Sequence, residues 1–439
     1  MLLVEAVKKR YPSNITNEMG GNNLKLWQDL YRDKYFYGGT DIYHLSLPSA
    51  IATEIARASI IELDTYIEEA SDGVRDDYKR ITEDIGKIVE FACAFGGLIL
   101  KPFHYLDGVA VDVVTPDAFV PLRVNPLNEL ERVVFIDTFI QIDEKGKKQY
   151  FTKLEEHDFT PNCYFIRNMA FVSESSFSLG LPCPLSSVEV WENLDEEIKI
   201  EGLTHPLFVY LKYPQHNNLD WHSPIGMSCF ARAVALIQEA DEQFSRIIWE
   251  YTGSELAIDA DLTALKKGAM PVHGERLFRN LGTGVSDGFY QVFSPSIRDS
   301  ALFNGLNQLL RRIEFVCGLS YGILSDASEQ AKTATEMKMS RQRFYTTVTD
   351  LQHEIKKAFT AIAQMIGRLR QEEIGSVVFS FDDSLVVDKE SEQKTMLSEV
   401  AAGLIRPELY LMKRYGVSEE EAKTMLPEVV VSDTDHGIE

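Results

Sequence analysis

The chain has 439 residues, 45% of them hydrophobic and 25% charged, with a formal net charge of −23 at pH 7. That length can hold two or three domains with a real core. The acidic balance argues against a protein that grips duplex DNA tightly along its backbone, which needs clustered Lys and Arg to displace counterions.

No apolar run approaches the length that spans a bilayer. The opening Met-Leu-Leu-Val-Glu-Ala-Val-Lys-Lys-Arg puts its charges after a very short apolar piece, the reverse of a secretion signal. The five cysteines (Cys93, Cys163, Cys183, Cys229, Cys317) are scattered, odd in number and never in a Cys-x-x-Cys pair. They read as reduced thiols in a cytosolic setting, without a zinc site.

In chain order, Asn22 to Arg32 reads as a short amphipathic helix with Leu24, Trp27, Leu30 and Tyr31 inward. Pro48 suits a first helical turn, and Ala50 to Ile60 continues from it. Asp76 to Phe95 reads as one helix, with Tyr78, Ile81, Ile85, Ile88, Ala92 and Phe95 on one side and Gly96-Gly97 as its stop. The period then changes to two. Leu98–Phe103, Val109–Val114, Glu131–Ile142, Lys147–Glu155 and Cys163–Phe171 read as strands of an antiparallel sheet packed on helices, joined by turns such as Leu106-Asp107-Gly108.

Ser228 to Tyr251 is a helix with Ala233, Leu236, Ala240, Phe244, Ile247 and Tyr251 in register, ended by Gly253. Residues 254–297 form a small module of mixed pattern. A helix follows at Asp299–Cys317, so two helices flank a compact insertion. After a polar break with Gly318 and Gly322, a three-four apolar repeat runs from Ala334 to Leu369, and only Arg341 departs from it. It specifies a helix of roughly 55 Å. Beyond it come a strand-like Val377–Phe381 and helical pieces at Lys389–Ala402, Pro407–Tyr415 and Glu419–Met425. Charge divides unevenly: residues 299–370 carry 7 acidic and 10 basic side chains, residues 371–439 carry 16 and 6. The acidic tail is a separate, solvated surface.

Catalytic patterns fail in turn. There is no Gly-x-x-x-x-Gly-Lys-Ser/Thr loop, and the glycines at 282, 284 and 288 lack a strand-to-helix setting. His273-Gly274-Glu275 has no Pro-Cys-x-x-Cys after it. Asp382-Asp383 could bind a metal as nuclease carboxylates do, but it reads better as a solvated turn. The chain reads as no enzyme, with no cofactor and no metal.

The segment Cys317-Gly-Leu-Ser-Tyr-Gly-Ile-Leu-Ser, then Lys332-Thr-Ala-Thr-Glu336 and Leu351-Gln-His-Glu-Ile355, resembles portal proteins of tailed bacteriophages. Phe95-Gly-Gly-Leu-Ile-Leu-Lys-Pro102, Val111–Pro121, Tyr150–His157 and Tyr164–Asn168 carry the resemblance across nearly the whole chain. It implies an α+β, portal-type elongated subunit with a helical stem, a small α/β clip, an antiparallel β-containing wing with a long helix, and a helical crown. The parts would be a wing at 1–227, stem helices at 228–253 and 298–320 around a clip at 254–297, a tunnel loop at 321–332, the long wing helix and strand at 333–387, and a crown at 388–439.

The resemblance further implies a ring, usually of twelve copies, at one capsid vertex. Double-stranded DNA would pass through it without sequence specificity during packaging and ejection. The implied partners are the chain itself, the terminase large subunit, a head-completion or adaptor protein, and the major capsid and scaffold proteins, with no membrane. The implied place is the virion, after assembly in the bacterial host cytoplasm. Ser325, Asp326, Ser328, Glu329, Gln330 and Lys332 would be the tunnel loop facing DNA. Phe344, Val348, Leu351, Ile355 and Ile362 would form the helix seam that holds neighbouring wings together. The alternatives are another head or tail component without a DNA channel, and a metal-dependent nuclease using Asp382 and Asp383.

Overall fold

Near the N-terminus, α1 (Leu3–Arg10), α2 (Asn22–Tyr31) and α3 (Leu47–Ile60) each turn one apolar face inward, and Pro48 sits in the first turn of α3. The computed structural model describes residues 3–11, 15, 22–35, 42–61, 63–142, 146–161, 163–221, 223–253, 257–260, 278–280, 290–293, 298–326, 334–381, 396–415 and 418–426. The stretch expected as one helix over 76–95 forms two, α4 (Asp72–Glu83) and α5 (Ile85–Phe95). At Asp84 the backbone N–H turns to the Thr82 carbonyl and φ, ψ become −92° and 8°. The break keeps the apolar phase, so Tyr78, Ile81, Ile88 and Ala92 still share one core. Helix α5 stops where expected: Gly96 has φ +84°, and a Cβ there would lie 2.5 Å from the Gly226 carbonyl oxygen.

The fold is α+β, with four sheets among the described residues. Strand β1 (Asp64–Ile67) pairs antiparallel with β14 (Val377–Ser380), the last strand of the first unit. Strands β2 (Gly97–Tyr105) and β3 (Gly108–Val114) form a hairpin, and β10 (Val209–Lys212) pairs the other edge of β2. The largest sheet runs β4 (Phe119–Val124), β5 (Leu130–Ile142), β6 (Lys148–Thr160), β7 (Cys163–Ser173), β8 (Leu181–Cys183), with β9 (Glu197–Ile200) also on β7. The expected strands are present, and β6 runs on to Thr160 because its pairing with β7 continues to Thr160↔Cys163.

A buried polar chain links β2, β6 and β7. Glu155 accepts from Lys101 Nζ at 2.9 Å and from His157 Nε2 at 2.8 Å, and Lys153 Nζ lies 3.0 Å away. Tyr164 accepts the Leu207 N–H at 3.2 Å and donates its hydroxyl to His157 Nδ1 at 2.5 Å, which fixes the neutral Nε2–H tautomer. Burial pushes the Glu155 carboxyl up, but His157, Lys101 and Lys153 outweigh it and hold the group well below the carboxylate range. Burial lowers His157 against the opposing pull of Glu155, and burial raises Tyr164.

Helix α6 (Val234–Gly253) starts later than the sequence suggested. Its lead-in is tied elsewhere: Cys229 donates its N–H to the Cys93 carbonyl at 2.9 Å, and a short tight turn occupies Ala231–Ala233. Helix α7 (Asp299–Cys317) packs antiparallel on α6. Arg298 pairs with Glu250 at 2.9 Å, Tyr251 and Phe303 have ring centroids 6.4 Å apart, and Ile237, Ala240, Ile247, Leu306 and Ile313 share the core. Between the two helices lie three short strands, β11 (Ala257–Ala260), β12 (Phe278–Asn280) and β13 (Tyr290–Phe293), with β11 central, parallel to β12 and antiparallel to β13.

Helix α8 (Ala334–Arg370) has 37 residues. It packs on α3, α4, β2, β3 and β10 through Val348, Leu351, Ile355, Ala358, Ile362 and Met365. Its last residue is anchored: Arg370 Nε reaches the buried Asp77 carboxylate at 2.6 Å, which also accepts the Val109 N–H at 2.9 Å and faces Arg80 at 3.2 Å. The three buried cysteines, Cys93, Cys229 and Cys317, lie in this core, where burial raises each thiol, that of Cys317 to about 12.

The second unit, Phe381–Glu439, holds α9 (396–401), α10 (Pro407–Tyr415) and α11 (Glu419–Thr424). Helix α11 opens on a capping box in which Ser418 and Glu421 satisfy each other's backbone N–H groups. Of the helical piece expected over Lys389–Ala402, residues 396–401 are described as helix and 389–395 lie outside the described residues. Among the described residues no helix is long and apolar enough to cross a membrane, and no group of three His, Cys, Asp or Glu could hold a metal ion. Asp382 and Asp383 lie outside the described residues.

Candidate functional site

Helix α7 ends because Gly318 takes φ +75°, and Leu319 donates its N–H to the Glu314 carbonyl at 2.9 Å. A side chain at 318 would place its Cβ 2.6 Å from Thr347 Oγ1 on α8, so glycine is required both by φ and by the neighbouring helix. The chain then folds back along α7 instead of leaving it.

Glu314 organises the return. Its side chain is fully buried, and Oε1 accepts backbone N–H bonds from Gly322 at 3.0 Å, Leu324 at 2.7 Å and Ser325 at 2.9 Å. Oε2 accepts the Ser325 hydroxyl at 2.8 Å. Buried donors that would otherwise cost about 1–3 kcal/mol each are satisfied by one side chain. Two turns earlier on α7, Asn307 Oδ1 accepts the Asp326 N–H at 2.9 Å. From α8, Ser340 Oγ accepts the Tyr321 N–H at 2.8 Å and Thr347 donates to the Gly318 carbonyl at 3.4 Å. The segment Gly318–Asp326 is therefore held from both flanking helices, and Asp326 is delivered exposed at its end.

The expected loop residues divide accordingly. Ser325, expected to face outward, is 6% exposed, and its hydroxyl is taken up by Glu314; this corrects the sequence expectation. Asp326 is exposed. Ser328, Glu329, Gln330 and Lys332 lie outside the described residues.

In the helix seam, Val348 is nearly buried and Leu351, Ile355 and Ile362 are wholly buried in the chain's own core. These four side chains pack α8 inside its own subunit, and Phe344 is half-buried beside them. The apolar repeat correctly marks a packing face but does not say whose partner fills it.

Sequence reasoning missed Glu314 and Asn307. The signal was present for the first: Glu314 falls four residues after Leu310 and three before Cys317, on the apolar face of α7. A carboxylate there has to find donors inside the fold.

No family model matches the chain, and no curated protein matches it. Among solved structures it is similar to the neck of a native GTA particle computed with C12 symmetry, at 13% identity and a TM-score of 0.44, covering 96% of this chain and 98% of that one. It is also similar to the neck of an empty GTA particle computed with C6 symmetry, at 13% identity and a TM-score of 0.43, covering 92% and 94%.

Proposed function

We propose that this chain is a portal-type subunit: a ring-forming, non-enzymatic structural protein of the head–tail connector in a tailed-phage-like particle. The supporting observation is one continuous arrangement. Helices α6 and α7 run antiparallel around a small three-stranded insertion, α7 turns at Gly318 into a segment tied down by Glu314, and the chain then enters the 37-residue α8. In that reading α6 and α7 are the stem, 254–297 the clip that meets the terminase and later the adaptor, and 388–439 the crown. The segment ending at Asp326 is the root of the loop that faces double-stranded DNA. Copies meet through surfaces other than the buried stripe of α8, since that stripe is filled from within.

The test is imaging of the purified full-length protein by electron microscopy together with its mass in solution. The reading expects a closed cyclic oligomer, of about twelve copies, with a lumen that admits duplex DNA. A monomer, a filament, or a closed particle without a central opening would overturn it.

A further inference from the structure

Several cations of this acidic chain lie within 4 Å of a carboxylate, among them Lys101, Arg123, Arg132, Lys153, Arg167, Arg246, Arg298, Lys357 and Arg370. Arg312 on α7 and Arg343 on α8 flank the tethered segment. Neither lies within ion-pair distance of a carboxylate among the described residues, and both converge on one exposed ring. The Arg343 guanidinium carbon is 4.4 Å from the Phe315 ring centroid and 6.0 Å from that of Tyr321, and the Arg312 carbon is 5.8 Å from Phe315. Phe315 is 46% exposed. Arg343 Nη1 is buried without a hydrogen-bond partner, while Arg312 is exposed.

Two like charges that share one aromatic platform repel each other, and no carboxylate among the described residues of the subunit relieves them. The arrangement gains an obvious purpose if an anion arrives from outside. A guanidinium laid on a ring loses conformational freedom, and an exposed one, as at Arg312, can still turn an N–H edge to a phosphate, with Arg343 adding its charge behind it.

We propose that Arg312 and Arg343, stacked on Phe315 and Tyr321, are a binding site for the phosphate backbone of double-stranded DNA. This rests on the portal reading above and deepens it. The DNA-facing surface would then be not only the polar loop past Asp326 but also a paired-arginine step at its base. One such step per subunit adds a weak, sequence-independent interaction to an otherwise acidic protein, compatible with DNA that must keep moving.

The experiment titrates a short fluorescein-labelled DNA duplex with the full-length protein and reads anisotropy across about 50 to 200 mM salt. Arg312→Gln/Arg343→Gln is compared with wild type, with Arg312→Lys/Arg343→Lys, and with Arg246→Gln, whose arginine is already paired. The expected result is a salt slope smaller by about 0.9 for each phosphate that the variant no longer neutralises, with affinity at low salt reduced about tenfold or more. The lysine pair should keep most of the slope because charge is kept, and Arg246→Gln should match wild type. Equal slopes in wild type and the glutamine pair would overturn the site. Loss of self-association in the glutamine pair with DNA binding unchanged would also overturn it, by showing that the arginines seat carboxylates of a second copy. Ring formation is read separately by microscopy. An intact ring with an unchanged slope sinks only this site, and a slope change in a protein that forms no ring sinks only the portal reading.

Discussion

Glu314 and Ser325 are eleven residues apart and joined twice: Oε1 of the glutamate accepts the serine N–H at 2.9 Å, and Oε2 accepts its hydroxyl at 2.8 Å. With Gly322 and Leu324 donating to the same carboxylate, one helical side chain substitutes for the backbone partners that an irregular segment lacks.

Replacing Glu314 with Ala should strand three backbone N–H groups, costing about 3 kcal/mol or more. Ser325→Ala, which removes one bond and leaves the cage standing, should cost about 1 kcal/mol. Urea unfolding midpoints at equal m-value check the order, and limited proteolysis should cut Glu314→Ala first after Gly318. Equal stability of Glu314→Ala and Ser325→Ala would remove Glu314 from its role.

Gly318→Ala combines an unfavourable positive φ with an approach of 2.6 Å to Thr347 Oγ1. Left-handed backbone alone costs about 1–2 kcal/mol outside glycine. A double-mutant cycle separates the two: Thr347→Ala should recover part of the loss in the Gly318→Ala background and only the φ cost should remain. Additive effects would mean that α8 does not press on the turn.

Asp77 has no exposed side-chain surface, while Arg370 keeps 22% of its own, so the pair is asymmetric. Asp77→Ala leaves the Val109 N–H and a partly buried guanidinium without their acceptor and should cost about 3–5 kcal/mol. Arg370→Ala leaves Arg80 on the carboxylate and should cost less. The two melting temperatures, measured side by side, decide it.

Acid should weaken the large sheet through His157 and Glu155. Both have folded values below their ordinary ones, so each contributes stability at high pH that is lost as pH falls. His157 loses its contribution first, below its ordinary value of 6.5, and Glu155 follows below 4.5. The slope should not exceed about 1.4 kcal/mol per pH unit for each group. Urea midpoints taken from pH 7.5 down to pH 5 should fall for wild type and fall less for His157→Gln. An unchanged wild-type midpoint over that range would contradict the lowering of His157 by burial.

Long, regular patterns were the legible part of this chain. The repeat of α8 is legible from Ala334 to Leu369 because a three-four spacing survives any choice of partner, and α10 is legible as Pro407–Tyr415 because proline marks its first turn. The break at Asp84 was invisible, since it leaves Tyr78, Ile81, Ile88 and Ala92 in phase. Strand β4 was missed because Pro121 and the following register shift against β5 interrupt its alternation. At the loop, Gly318 announced a helix end. Nothing local announced that Ser325 would be drawn inward, because the group that draws it is eleven residues back on another element.

The tie between Asn307 and Asp326 has a mechanical consequence. Asn307 and Glu314 grip the returning segment at points seven residues apart on α7, which at 1.5 Å per residue is about 10 Å along one axis. Attachments so spaced fix both the position and the direction of the end of the segment relative to the α7 axis. Asp326 is therefore placed by α7 rather than by its own sequence neighbours alone.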